Sequence, residues 1–214
     1  MTVSLNANAL LADVTELNNF TQAGFTAGDY ANTLINTASD IIERVTKRKL
    51  IAQAYTSEKY SGNGQCKLFL KNYPINSITS LVQRNTHDDT TIQTYSANSD
   101  YLFDITEGWV YLRESWVQDT HNYQITYNAG YKVAATEGYI TLPYDLRKAC
   151  ADLCMWVDSQ KDKVGFDSER IGSYSYSLNS LNSAKGNTIG GYALPPTIIA
   201  LLAKYIRIEI GSIF

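Results

Sequence analysis

The hydrophobic periodicity of this chain changes twice along its length. Between Leu34 and Val45 the apolar residues recur at spacings of three and four, which predicts an amphipathic helix over residues 29–48. From residue 53 to residue 133 short apolar runs alternate with polar or glycine-containing turns, a pattern typical of antiparallel strands. A helical stripe returns after Pro143. Because each helix must bury its stripe, we expect the helices on both sides of the β-rich stretch to pack together.

The predicted architecture is therefore α+β: a small helical bundle with an inserted antiparallel β-rich region and a lone strand before a C-terminal helix. A chain of 214 residues suits one domain with an insertion. We place an N-terminal helical part at 1–52, the β-rich region at 53–133 and the C-terminal helices at 134–214. The two helical parts are expected to form one compact unit.

Within the β-rich region, glycines and asparagines mark the predicted turns. Gly62-Asn63-Gly64 predicts a tight turn that joins strands at 55–60 and 67–70 into a hairpin. Further strands are predicted at 78–83, 91–95, 101–105, 109–112 and 123–127.

A strictly alternating stretch at 170–178 stands between two helical patterns. Tyr174, Tyr176 and Leu178 fall on one side of an extended strand, and serines fall on the other. With no predicted hairpin partner beside it, this strand needs backbone partners from elsewhere in the chain or from another subunit. We therefore hypothesise that Tyr174, Tyr176 and Leu178 make subunit contacts. Residues 179–193 are rich in Asn, Ser and Gly, and they predict a flexible loop.

The C-terminal region carries a second set of candidate contact residues. Pro195-Pro196 opens a predicted helix. An apolar tail follows this helix, and such a tail is not left in water without reason. The predicted stripe of the helix is formed by Ile199, Leu202, Ile206 and Ile210. The residues hypothesised to dock on another protein or on a neighbouring copy are Tyr205, Ile206, Ile210, Ile213 and Phe214.

Charge and cysteine usage exclude several classes of protein. The net charge of −3 and the pI near 5.4 argue against a protein that coats nucleic acid, which needs clustered Lys and Arg. Three cysteines without a disulfide spacing indicate a reducing compartment such as the cytoplasm. The sequence has neither a signal-peptide pattern nor an apolar run of membrane-spanning length, so we expect no membrane association.

The sequence offers little material for a catalytic site. Its two histidines, His87 and His121, lie in separate polar turns, and it contains none of the common nucleotide-binding, hydrolase or metalloprotease motifs. We therefore predict no catalytic residue, no metal, no cofactor and no enzymatic activity. The aromatic residues of the β-rich region, Trp109 and Trp116 among them, either form its core or present a sugar-binding surface, and the core interpretation is favoured.

Several short segments stand out when they are taken in order along the chain. They read ASDIIERVT at 38–46, YSGNG at 60–64, LFL at 68–70, YPINSI at 73–78, YNAGY at 127–131, LPYDLRKAC at 142–150, IGSYSYS at 171–177 and LPP at 194–196. In their order and spacing over residues 30–205 they resemble the head-to-tail connector (adaptor) proteins of long-tailed bacteriophages, the family whose rings dock on the portal.

This resemblance implies a structural virion protein located in the neck between head and tail and assembled in the host cytoplasm. Proteins of this kind form rings of about twelve copies through head-to-tail contacts that close by rotation. The implied partners are the portal protein, neighbouring copies of the chain, and stopper or tail proteins below the ring. DNA is expected to pass through the channel without sequence-specific binding.

Two alternatives stay open on the sequence. The chain could be another joining protein of the virion, a tail-completion or stopper subunit, which would differ in its partner. It could also be a carbohydrate- or receptor-binding module that uses the aromatic residues of the β-rich region.

Overall fold

The structure is a computed structural model of the chain. It describes residues 2–161 and 194–207, together with the backbone of the strands at 168–171, 174–177, 188–189 and 192–193. The chain divides into two compact units, one formed by Met1–Arg48 with Leu142–Phe214 and the other by Lys49–Thr141. We call them the helical unit and the β unit.

The helical unit brings together helices from both ends of the chain. Its described residues form α1 (Val14–Thr21), α2 (Asp29–Thr46), α3 (Tyr144–Gln160) and α4 (Pro196–Leu202). A 3₁₀ turn, Ala203–Tyr205, continues α4. Helix α3 packs against each of the other three, so it is the centre of the unit.

The apolar stripes predicted for α2 and α3 are buried in this unit. Leu34, Ile35, Ala38, Ile42 and Val45 of α2 are at most 4% exposed. Residues Leu146, Ala149, Cys150, Leu153 and Cys154 of α3 are fully buried, so the two cysteines serve as small hydrophobic residues of the core. Burial of each large aliphatic side chain contributes about 1.5–3 kcal/mol, so these stripes hold the two ends of the chain together.

The last helix is shorter than its predicted stripe. Its buried side chains are Ile198, Leu202 and, in the 3₁₀ turn, Tyr205, whereas Ile199 and Ile206 are only half-buried. Leu202 belongs to both the predicted stripe and the buried face, whereas Ile199 and Ile206 each follow a buried residue. After Leu202 the 3₁₀ turn has three residues per turn, which brings Tyr205 rather than Ile206 to the buried face.

The β unit contains two antiparallel sheets. A four-stranded sheet has the order β1-β7-β3-β4, and a three-stranded sheet has the order β2-β6-β5. The strands, in chain order, are β1 (Gln53–Gly62), β2 (Lys67–Phe69), β3 (Ile75–Arg84), β4 (Thr91–Tyr95), β5 (Tyr101–Phe103), β6 (Trp109–Leu112) and β7 (Asp119–Ala129). The α+β class predicted from the sequence is confirmed.

The boundaries predicted after residues 52 and 133 both lie inside the β unit, which is wider than the predicted region. Short backbone pairings extend it. Ala52 N–H donates to Tyr131 O at 2.8 Å, and Lys132 N–H donates to Ile140 O at 3.0 Å. These bonds attach the chain on both sides of the strands to the β unit.

The predicted hairpin at Gly62-Asn63-Gly64 is wrong. Strand β1 pairs with β7, whereas β2 pairs with β6 in the other sheet. The turn between β1 and β2 is bound to a distant segment instead, because Gly64 N–H donates to Trp116 O at 2.9 Å and Trp116 N–H donates to Gln65 O at 2.8 Å. The turn therefore carries the chain from one sheet to the other.

Large aromatic side chains fill the core of the β unit. Trp116, Tyr123 and Tyr127 are at most 1% exposed. The rings of Trp116 and Tyr123 meet edge to face, with 4.7 Å between centroids. Apolar residues from both sheets complete this core, among them Leu81, Val110 and Ile125. The favoured interpretation of the aromatic residues as core is confirmed for Trp116.

The strand predicted to stand alone at 170–178 has a partner within the chain. Ser168–Ile171 (β8) pairs antiparallel with Tyr174–Ser177 (β9). The chain thus satisfies these backbone groups locally, because the start of the alternating stretch and the two residues before it pair with Tyr174–Ser177. The predicted loop at 179–193 also contains a short antiparallel pair, Thr188–Ile189 (β10) with Tyr192–Ala193 (β11).

Candidate interaction surfaces

The two histidines, which are far apart in sequence, line the same polar cleft of the β unit. Its volume is about 310 Å³, and its lining is formed by Lys59, Asn85, Thr86, His87, Asp88, Asp89, Thr120 and His121. The backbone and hydroxyl of Thr90 both donate to Asp88 Oδ1, at 3.1 and 2.7 Å. The hydroxyl contact is the main reason that the pKa of Asp88 lies below its usual value.

This cleft does not bring together a metal site. Among the described residues no group of three or more His, Cys, Asp or Glu side chains could hold a metal ion. Asp89 is engaged in the wall of the cleft, where its Oδ1 accepts a hydrogen bond from Gln124 Nε2 at 3.2 Å and lies 4.0 Å from Lys59 Nζ. We therefore interpret the cleft as a solvated surface formed by two polar turns.

An exposed apolar surface lies on the outer side of the three-stranded sheet. Alternation places Leu68 and Val110 in the core and turns their neighbours outward. The register places Phe69 opposite Trp109, and Leu102 opposite Tyr111. We call these four outward residues, Phe69, Leu102, Trp109 and Tyr111, the aromatic face.

The aromatic face is most exposed on its two outer strands, β2 and β5, and charged groups lie beside Trp109. Phe69 is 64% exposed and Leu102 is 47% exposed, while Trp109 and Tyr111 are half-buried. Lys67 Nζ lies 4.3 Å from the centroid of the Trp109 ring, and the indole N–H donates to Glu107 Oε2 at 3.0 Å. A cation over the ring occupies the place where a sugar would stack, which disfavours carbohydrate recognition at Trp109.

A second exposed surface is the free edge of the four-stranded sheet. Strand β4 is the last strand in the order β1-β7-β3-β4, and its first four residues are exposed. Its sequence, TIQTY, contains neither a charged residue nor proline. Ile92 in its middle is 59% exposed. We call this surface the β4 edge.

The contact residues predicted from the sequence are distributed differently. Tyr174 and Tyr176 lie on β9, where they pair through the backbone with Ile171 and Glu169. Tyr205 is only 7% exposed, so it packs inside the helical unit. Ile206 is half-buried. The other predicted contact residues lie outside the described part of the chain: Leu178, Ile210, Ile213 and Phe214.

The start of the C-terminal tail has a defined place in the helical unit. Arg207 N–H donates to Thr46 O, the carbonyl of the last residue of α2, at 2.9 Å. Lys204 Nζ pairs with Asp145 Oδ2 at 2.5 Å, which ties the 3₁₀ turn to the first turn of α3. The chain beyond Arg207 therefore starts beside the C-terminal end of α2. Within the described residues, no helix combines the length and the apolar character that crossing a membrane requires.

Exposed apolar residues held on paired strands are the surfaces with which proteins bind other proteins. These surfaces therefore indicate a protein that contacts other proteins. A comparison with protein families identifies it further: the family described as head completion protein matches residues 11–208. The chain belongs to the head completion protein family, and the resemblance to head-to-tail connectors found in the sequence is confirmed.

Solved structures share the fold at low sequence identity. A chain from the neck of an empty gene transfer agent (GTA) particle, computed with C6 symmetry, is 15% identical with a TM-score of 0.52, and the alignment covers 99% of this chain and 98% of that one. A chain from the virion of a native GTA particle is 14% identical with a TM-score of 0.51, and the alignment covers 99% and 97%. Among curated proteins, none matches the sequence.

Proposed function

We propose that the chain is a structural subunit of the neck between head and tail of a phage-like particle. In this role it forms a ring that docks on the portal and extends the channel for DNA. The observation that carries the proposal is the match of the head completion family over residues 11–208, which takes in both units. The likeness to a chain from the neck of a GTA particle supports the same location.

This function requires no catalysis, and we propose that the chain is not an enzyme. Its work is mechanical: it holds neighbouring copies and the portal in register while DNA passes. A net charge of −3 suits such a channel, because a basic lining would retain the DNA and make its release depend on salt.

We propose that the C-terminal tail after Arg207 docks on the portal or on a neighbouring copy. The hydrogen bond from Arg207 N–H to Thr46 O places Arg207, the last residue before the tail, beside the end of α2. The tail contains Ile210, Ile213 and Phe214, whose burial on a partner would contribute roughly 1.5–3 kcal/mol each. Tyr205 is buried already, so its part is to anchor the start of the tail.

Binding to a purified portal from the same particle tests this proposal. The test variant replaces Ile210, Ile213 and Phe214 by Ser, and it keeps Tyr205 and Arg207. The control carries Glu209→Gln and Ser212→Ala in the same segment. We expect the control to bind the portal like the natural chain and the test variant to lose binding by at least about tenfold. Equal binding of the portal by both variants would show that the tail is not part of the docking surface.

The alternative of a tail-completion or stopper subunit differs in its partner. A chain that binds the tail tube or its terminator, and that leaves the portal unbound, would belong to that alternative.

A further inference from the structure

We infer that the aromatic face of one copy receives the β4 edge of the neighbouring copy. The inference rests on the proposed ring, and it names the surfaces of the β unit that meet between subunits.

The apolar residues of the aromatic face are not needed for the core of the β unit. Its inner neighbours Leu68, Val110 and Leu112 already bury the three-stranded sheet against the core of the β unit. Phe69 and Leu102 add nothing to that core, yet they expose 64% and 47% of their surface to water. A neighbouring protein that covers them would remove this cost.

The β4 edge lacks the features that protect the opposite edge of the sheet, which is formed by β1. Strand β1 carries Glu58 and Lys59, and a register irregularity between Tyr55 and Glu58 places Ser57 in the left-handed region, with φ of 52°. Charges and bulges of this kind prevent further strands from adding to an edge. Strand β4 has no charge and no proline, and it presents Ile92 outward. Its backbone and its apolar side chain are thus available to a partner.

Each rim carries an exposed charge that is opposite in sign to one on the other rim: Lys67 on the aromatic face, where Glu107 also lies, and Asp88 before β4. Lys67 is exposed beside Phe69 and Trp109 on the aromatic face. Asp88 is exposed in the turn before β4, and its hydrogen bonds from Thr90 favour the ionised carboxylate. With Ile92 against Phe69, the ammonium of Lys67 and the carboxylate of Asp88 would meet beside them, which is the arrangement that selects a partner and its register.

The two surfaces differ from each other, and this favours another copy in a ring. Contacts between unlike patches repeat from subunit to subunit, and they close into a ring when the rotation allows it. A symmetric dimer through the aromatic face would leave Ile92 of both copies exposed. The occupant we assign to the aromatic face is therefore the β4 edge of the next copy.

Cysteine cross-linking in the assembled ring tests this pairing directly. In a Cys66→Ser background, the remaining Cys150 and Cys154 are buried. A variant with both Phe69→Cys and Ile92→Cys, treated with a short bismaleimide, should give a ladder of cross-linked multimers on a denaturing gel. Each single variant alone should stay monomeric, whereas an equal mixture of the two should give dimers. Dimers from Phe69→Cys alone would overturn the proposal in favour of a symmetric contact.

The same experiment separates this inference from the proposed function. A ring that assembles, measured by mass photometry, without cross-links between positions 69 and 92 would overturn the pairing and leave the neck function standing. A chain that forms no ring, even with the portal, would contradict both.

Charge reversal gives a second, independent test. Lys67→Glu alone and Asp88→Lys alone should each raise the concentration needed for ring formation by about tenfold, and the double variant should restore it. Glu137→Lys, an exposed change elsewhere in the β unit, is the matched control and should leave assembly unchanged. Failure of the double variant to recover would overturn the contact between Lys67 and Asp88.

Discussion

The hydroxyl oxygens of Tyr60 and Tyr127 lie 2.9 Å apart inside the β unit. Both hydroxyls donate to the same carboxylate oxygen, Glu58 Oε2, at 2.6 and 2.5 Å. Lys71 N–H donates to the Tyr60 hydroxyl at 3.1 Å, and Asn72 Nδ2 donates to the Tyr127 hydroxyl at 3.2 Å. This network joins β1 and β7 to the turn after β2, so it ties the two sheets together.

The tyrosine network predicts that the β unit unfolds in alkali. Burial and, after it, the contact with Glu58 raise the pKa of both Tyr60 and Tyr127 well above the usual 10, and the nearby Tyr127 raises that of Tyr60 further. The folded chain therefore keeps protons that the unfolded chain loses, and stability decreases as the pH rises above about 10. Phenolate absorbance and circular dichroism should change together in a pH titration. Ionisation of these tyrosines with unchanged circular dichroism would contradict the network.

Removal of one hydroxyl from this network should destabilise the β unit at neutral pH. Tyr127→Phe removes the acceptor of Asn72 Nδ2 and one of the two hydroxyl groups that donate to Glu58, which costs about 1–3 kcal/mol. Tyr111→Phe, on the half-buried aromatic face, is the control and should change the free energy of unfolding by less than about 0.5 kcal/mol. Urea denaturation of both variants measures the difference, and equal values would show that the network adds nothing to stability.

The turn between β1 and β2 depends on a close approach of two backbones at Gly62. A Cβ at this position would lie 1.8 Å from the carbonyl oxygen of Val117. Gly62→Ala should therefore cost more than about 2 kcal/mol, or prevent folding of the β unit. The control is Gly64→Ala, where the nearest atom is 3.8 Å from the Cβ and only the φ of +73° opposes the substitution. It should cost about 1 kcal/mol. Thermal unfolding of both variants measures the two costs. A smaller loss of stability for Gly62→Ala than for Gly64→Ala would contradict the close approach.

In the helical unit, Ser39 holds the N-terminal segment against α2. Its Oγ accepts from Leu10 N–H at 3.0 Å and donates to Ile35 O at 2.7 Å, in a fully buried position. Ser39→Ala leaves the Leu10 N–H unpaired and should cost about 1–3 kcal/mol. Thr33→Ala is the control, because its hydroxyl makes the same bond to the preceding turn at an exposed position. Equal costs in thermal unfolding would argue against an anchoring role for Ser39.

The ends of α2 and α3 are linked by Tyr30 and Asp158, whose side chains lie 2.5 Å apart. The Tyr30 hydroxyl, followed by Lys161, holds the pKa of Asp158 below its usual value. A lowered pKa means that the contribution to stability is present above about pH 4 and is lost as the pH falls through the pKa of the folded state. Between pH 7 and about pH 3, the melting temperature of the Asp158→Asn variant should therefore fall by less than that of the natural chain. A loss as large as that of the natural chain would contradict the link.

The sequence predicted best those elements whose pattern is strong and local. The strands at 91–95 and 109–112 have the predicted bounds. The helix predicted at 29–48 is observed as Asp29–Thr46. In each case the side-chain period itself indicates the element, and burial follows the same period.

Strand pairing was harder to predict, because it depends on contacts between distant residues. Strand β1 pairs with β7, so Tyr60 lies opposite Tyr123. No local signal distinguishes this arrangement from a hairpin at Gly62-Asn63-Gly64. The pair β8 and β9 did have a signal, because Gly172-Ser173 between two β-prone runs is typical of a two-residue hairpin turn.

The residues that form the exposed surfaces could not be identified from the sequence. Leu68 and Phe69 are both apolar, so their sequence alone cannot indicate which of them faces the core. Likewise, His87 and His121 belong to separate turns, and only the fold brings them to one cleft.

The central claim is that the chain forms a ring on the portal. Mass photometry of the purified chain, alone and mixed with a portal from the same particle, tests it most directly. We predict a defined complex in the mixture, whose added mass corresponds to about twelve chains of 23.9 kDa. A chain that remains at the mass of one monomer in the presence of the portal would contradict the account.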